Sequence, residues 1–117
     1  MLVNFSIHSD QNYHLLSIKG KVLTDLESNF LIEQIDDLIL NKKHSILLKI
    51  NELDYITSTG LNFFIRCLTR CRNNSIELVI CGLQPSVEKL FYISKLNEIF
   101  TIFADEIESI NYIENQI

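Results

Sequence analysis

Residues 54–61 read DYITSTGL, and the fold turns on how they are taken. The apolar run SILLKI at 45–50 lies upstream. Downstream, Leu61, Phe64, Ile65 and Leu68 recur at the i, i+3, i+4, i+7 spacing of a helix. The stretch is therefore a junction from strand to helix. Thr57, Ser58 and Thr59 stand together at it, with Gly60 behind them. A strand as continuously apolar as SILLKI is one covered on both faces, so helices are expected above and below the sheet it belongs to.

Working outward, LVNFSIH at 2–8 alternates like a strand, and YHLLSIKGKVL at 13–23 is a second β-prone run. SDQN between them supplies a turn. Thr24 followed three residues later by Glu27 is a capping-box pattern and predicts a helix from Asp25 to about Leu40. Its inner arc is Leu31, Ile32, Ile35, Leu38 and Ile39. Beyond the junction helix, which ends near RNN at 72–74, IELVICGL at 76–83 reads as another buried strand. Pro85 suits the first residue of a third helix, with Val87, Leu90 and Phe91 facing inward. FTIFA at 100–104 is a last short strand, and residues 105–117 form a terminal helix with Ile107, Ile110 and Ile113 toward the core. The order β-β-α-β-α-β-α-β-α predicts one α/β domain over residues 1–117, a mixed sheet with helices packed on it.

The bulk numbers bound the function. A chain of 117 residues can bury a core without metal or disulfide staples. Its net charge of −5 disfavours nucleic acid as the main ligand, because phosphate binding needs a basic face. No apolar run approaches the roughly 18 residues of a membrane span, so no membrane insertion is expected. The first residues lack the pattern of a secretory signal, and a cytoplasmic location follows as the expectation. Cys67, Cys71 and Cys81 form no C-x-x-C pair and read as small apolar fillers. His8, His14 and His44 show no metal-ligand spacing, and no cofactor is indicated.

The hydroxyl triplet admits several chemistries. Ser58 sits in the strand–turn–helix setting of a nucleophile elbow, but G-x-S-x-G is absent. His44 precedes the incoming strand and should lie at its far end, so no base is marked and no enzyme activity is expected. One glycine without a following G-K-[ST] does not make a phosphate loop. Helix capping would use one hydroxyl. A further reading is covalent modification: a serine at a helix N-terminus is accessible, and an added phosphoryl charge of about −1.5 to −2 is favoured there by the dipole and the unpaired N–H groups. On the residues alone, capping and modification both stand. Phe63 falls in angle opposite the inner stripe, near Thr59, Arg66 and Arg70, and is expected to be an exposed interface anchor. Phe30 falls off the arc of the first helix, and either faces the same partner or packs under the terminal helix.

LDYITSTGLNFFIRC at 53–67 resembles the signature loop of STAS domains, specifically of bacterial anti-sigma factor antagonists: hydrophobic-Asp-Ser-(Ser/Thr)-Gly-Leu. Ile56, Thr57, Ser58, Thr59, Gly60 and Leu61 take those positions in turn, and the likeness extends over nearly the whole chain. It implies a non-catalytic binding module. Ser58 would be phosphorylated by a partner that is both anti-sigma factor and serine kinase. The unmodified form would sequester that partner, and a PP2C-type phosphatase would restore it. In this reading Thr57 and Thr59 shape the loop, Gly60 permits close approach of the partner, and Phe63, Arg66 and Asp25 are contacts. The alternative is an unswitched STAS scaffold subunit in a lipid-transport or signalling complex.

Three departures accompany the likeness. Thr57 stands where Asp is frequent. Gly20-Lys21-Val22-Leu23 replaces Gly-Glu-Leu-Asp, with the acid displaced to Asp25. Ser94-Lys95-Leu96 replaces Thr-Gly-Leu, and a left-handed conformation at Lys95 would cost about 1 kcal/mol.

Overall fold

The computed structural model describes residues 3–117. Its elements are β1 (Val3–Ser9), β2 (Tyr13–Leu23), α1 (Asp25–Leu40), β3 (Ser45–Ile56), α2 (Asn62–Asn73), β4 (Glu77–Cys81), α3 (Pro85–Ile93), β5 (Thr101–Phe103) and α4 (Glu106–Asn115). The predicted order is the observed one. Leu2, first residue of the first expected strand, lies outside the described residues.

The strands lie in chain order, β1-β2-β3-β4-β5. Only β1 runs against its neighbour; β2 to β5 are parallel. Each parallel step requires a crossover, which α1, α2 and α3 supply. The period-two alternation divides the sheet's side chains between two cores. Leu16, Ile18, Ile46, Leu48, Ile50, Leu78 and Ile80 join the larger core with α1, α2 and α3. Leu15, Leu47, Val79 and Cys81 face the other way, against Ile113 of α4. β3 runs six residues beyond SILLKI, to Ile56, because its second half pairs with the end of β2, from Lys19↔Glu52 to Leu23↔Ile56. That half has no partner in β4, whose pairing ends at Lys49↔Cys81, so its residues are more polar.

Thr24 precedes α1 as predicted, but the reciprocal box does not form. The Thr24 hydroxyl donates to Glu27 Oε2 at 3.3 Å instead of capping an amide. Lys95 has φ +63, as its position in place of glycine requires. Phe30 does not pack under α4; it is 38% exposed, and its ring lies 5.7 Å from that of Phe5 in β1. Ile107 is exposed on the outer side of α4, and Ile113 supplies the inward contact. The three cysteines are buried and free, and desolvation pushes the Cys71 thiol up to about 12, consistent with inert fillers.

The inner side of α2 differs from the stripe read in the sequence. Its buried residues are Phe63, Phe64, Cys67, Leu68 and Cys71, while Ile65 is 40% exposed. Phe63 is 0% exposed and meets Phe64 edge-on at 5.1 Å, so it is no surface anchor. Its angular neighbours explain this. Arg66 donates from Nη1 to Asn29 Oδ1 at 2.8 Å, and Arg70 from Nε to Asp36 Oδ1 at 2.8 Å. The side carrying Phe63, Arg66 and Arg70 therefore faces α1, not solvent. On the other flank Phe64 reaches Phe91 of α3 at 5.4 Å. A helix with neighbours on both flanks buries a wider arc than one lying alone on a sheet.

Candidate functional site

β2 and β3 are parallel, so α1 and α2 begin at the same edge of the sheet, where Leu23 lies beside Ile56. The junction loop is pinned to the end of β2 at one acceptor, the Leu23 carbonyl. The Thr57 N–H donates to it at 3.1 Å, and the Thr57 hydroxyl donates to it at 3.3 Å. That same hydroxyl oxygen accepts from the Gly60 N–H at 2.9 Å. The Thr57 carbonyl then accepts from Leu61 N–H at 3.1 Å, which starts the turn into α2. Of the three hydroxyls, Thr57 is the one that caps. Thr59 Oγ1 lies 3.3 Å from it, at the surface.

Gly60 is required by space. A Cβ there would lie 2.3 Å from the Leu23 carbonyl oxygen and 3.0 Å from Thr57 Oγ1. The close approach it permits is thus to its own chain, and Gly60 is buried, which removes it from the expected partner contacts.

Ser58 is the opposite case. It is exposed, and among the described residues its hydroxyl has no hydrogen-bond partner, nor do the N–H groups of Ser58 and Thr59. No acidic residue occupies the first turn of α2. The positive end of a 12-residue helix therefore has no acidic side chain to offset it, and the unpaired amides of Ser58 and Thr59 lie in the turn that leads into it, beside an accessible hydroxyl. No base attends it. His14 is held between Ser9 Oγ (2.6 Å) and the Asn41 carbonyl (2.7 Å), and His44 contacts Ser45 Oγ (2.7 Å) at the start of β3.

Thr57 in place of Asp is explained by this geometry. A carboxylate could accept from Gly60 N–H but could not donate to the Leu23 carbonyl; a hydroxyl does both. The position points into the loop.

Around Ser58, the remaining expected residues fall as follows. Asp25 is exposed at the first position of α1, two residues past Leu23. Arg66 is half-buried and bridges to Asn29 of α1. The structure adds Leu26, 81% exposed in the first turn of α1. Its signal in the sequence was its absence from the Leu31–Ile32–Ile35–Leu38 arc. Ile65 of α2, on the apolar stripe of the sequence, is also exposed. Among the described residues no His, Cys, Asp and Glu side chains group as a metal site, and no helix is long and apolar enough to cross a membrane.

Comparison with known proteins adds the following. The STAS domain family matches residues 5–109. The anti-sigma-B factor antagonist of Listeria monocytogenes is 37% identical over 62 residues, 51% of this chain and 54% of that protein. The chain thus spans about half the length of the curated relatives it matches. Among solved structures, the anti-sigma factor antagonist SpoIIAA in its unphosphorylated form is similar with a TM-score of 0.80, at 17% identity, over 96% of this chain and 97% of that one. The Bacillus cell fate determinant SpoIIAA in its phosphorylated form gives 0.72 and 16%, over 94% and 99%. At those identities the structural likeness establishes the fold.

Proposed function

The chain belongs to the STAS domain family, and from that premise we propose that it is an anti-sigma factor antagonist whose binding is switched by phosphorylation of Ser58. One observation carries the reading: of three consecutive hydroxyls, only Ser58 is both exposed and free of any hydrogen bond within the described chain, at the open N-terminus of α2. The name of the Listeria relative supports the class of partner, an anti-sigma factor. That partner is also the serine kinase, and a PP2C-type phosphatase reverses the modification.

The mechanism is electrostatic. A phosphoryl group on Ser58 brings a charge of about −1.5 to −2 to a position where unpaired amides and the helix dipole favour it. Thr57 and Gly60 face inward, so the modification has no core contact to break. What changes is the outer surface. A partner complementary to a neutral hydroxyl meets a dianion, and each 1.4 kcal/mol of penalty lowers its affinity about tenfold. Thr59, Asp25 and Arg66 are contacts of that partner, and the exposed Leu26, not the buried Phe63, supplies the apolar anchor. The protein itself performs no catalysis.

Incubation with the cognate kinase and ATP should add one phosphate, found on Ser58 by mass spectrometry and lost in Ser58→Ala. Labelling that persists in Ser58→Ala, or that never occurs, would overturn the assignment.

A further inference from the structure

The sheet ends in two edges, and they are protected very differently. β5 is three residues long. Directly after it the Ala104 N–H meets Glu108 Oε2 at 3.4 Å, and Asp105 and Glu106 open α4 with two negative charges. Short length and charge are the usual defences of a sheet edge. β1 has neither. It is seven residues long, VNFSIHS, with no proline and no Lys, Arg, Asp or Glu. Its pairing with β2 has no bulge, running one-to-one from Val3↔Gly20 to Ser9↔His14.

The alternation of an antiparallel ladder tells which backbone groups β1 leaves free. The Asp10 N–H donates to the Tyr13 carbonyl and closes the hairpin. Bonded and non-bonded pairs alternate from there. Ser9, Ile7, Phe5 and Val3 therefore turn N–H and C=O outward, and none of these groups has another partner among the described residues. Phe5 and Ile7 also share the face that carries α1, α2 and α3, where Phe5 touches Phe30 and Ile7 is 41% exposed.

We propose that the outer edge of β1 is a self-association surface, on which two copies of the chain pair β1 to β1 about a two-fold axis at Ser6. The strand is self-complementary in that register. Phe5 of one copy faces Ile7 of the other, twice, with backbone bonds exchanged at those pairs, and both pairs lie on the same face. Aromatic and β-branched residues opposite one another are favourable cross-strand neighbours. A two-fold contact closes on itself, so the product is a dimer and not a fibre. Charge selects the site as well. The chain carries −5, and copies repel on average, but β1 brings no acidic or basic residue other than His8 to the contact. This pairing stands independently of the Ser58 switch.

The test is sedimentation of the full chain at neutral pH from micromolar to millimolar concentration, with Ile7→Lys and Ser6→Cys alongside. The expected result is a dimer that dissociates on dilution and whose affinity falls about tenfold or more in Ile7→Lys, where a cation meets the facing Phe5. Ser6→Cys meets its own copy at a non-bonded pair, where the Cα separation of about 4.5 Å suits a disulfide. It should cross-link under mild oxidation far faster than Ser75→Cys on an exposed turn. A monomer throughout the range, or a dimer indifferent to Ile7→Lys together with no preferential cross-linking at Ser6, would overturn the proposal. If Ile7→Lys fails to fold, the cross-linking result decides alone.

Discussion

The entrances to α4 and α2 solve the same physical problem in opposite ways. Each helix begins with N–H groups that have no partner within it and with the positive end of a dipole. At α4 the Asp105 carboxylate accepts from the Glu108 N–H at 2.9 Å, and Glu106 and Glu108 bring negative charge into the first turn. That terminus is sealed by the chain itself. At α2 a neutral hydroxyl, Thr57, holds the turn, no acid enters the first turn, and Ser58 is exposed and unbonded. The negative charge that finishes α4 is missing from α2. The difference separates a terminus capped by its own chain from one that keeps a neutral, exposed serine, where the proposed phosphoryl group would sit.

The contrast can be broken most forcefully at Gly60. An Ala there drives a Cβ to 2.3 Å from the Leu23 carbonyl, and the loop must leave the end of β2. Gly60→Ala should lose about 3 kcal/mol in urea denaturation. An unchanged midpoint would mean the loop is not pinned at Leu23. Thr57→Val keeps the shape and deletes the hydroxyl, leaving the Gly60 N–H without its acceptor. About 1–2 kcal/mol should be lost by the same measurement. At the other entrance, Asp105→Ala removes a side-chain cap and should cost about 1 kcal/mol, read as a lower melting temperature. Ser58→Ala should move stability by less than about 0.5 kcal/mol, since no bond is lost. A larger drop would make Ser58 part of the loop's frame and erase its difference from Thr57.

The fold was legible because its signals were periodic. Alternation in 2–8, the apolar run at 45–50 and the arc of α1 each dictate one element, and their order leaves a parallel sheet needing crossovers. Two things were not legible. Helical angle alone placed Phe63 opposite the Leu61–Phe64–Ile65–Leu68 stripe, but which angle meets solvent depends on the neighbours. α1 and α3 flank α2, and Phe63 is buried against Phe64. Nor could the order Thr-Ser-Thr say which hydroxyl turns inward. That is decided by the Leu23 carbonyl, thirty-four residues away along the chain and brought there by the β2–β3 pairing. The same pairing reassigns Gly60, whose missing Cβ makes room for Leu23 and not for a partner.

The most direct test of the entrance at α2 is the affinity of the Ser58-phosphorylated chain for the anti-sigma factor proposed as its partner, beside that of the unmodified chain, with the urea midpoint of both taken as a check on the fold. The expected result is binding weaker by about 100-fold or more, roughly 2.7 kcal/mol, at an unchanged midpoint. Equal affinity, or weaker binding that comes only with a clearly lower midpoint, would contradict it.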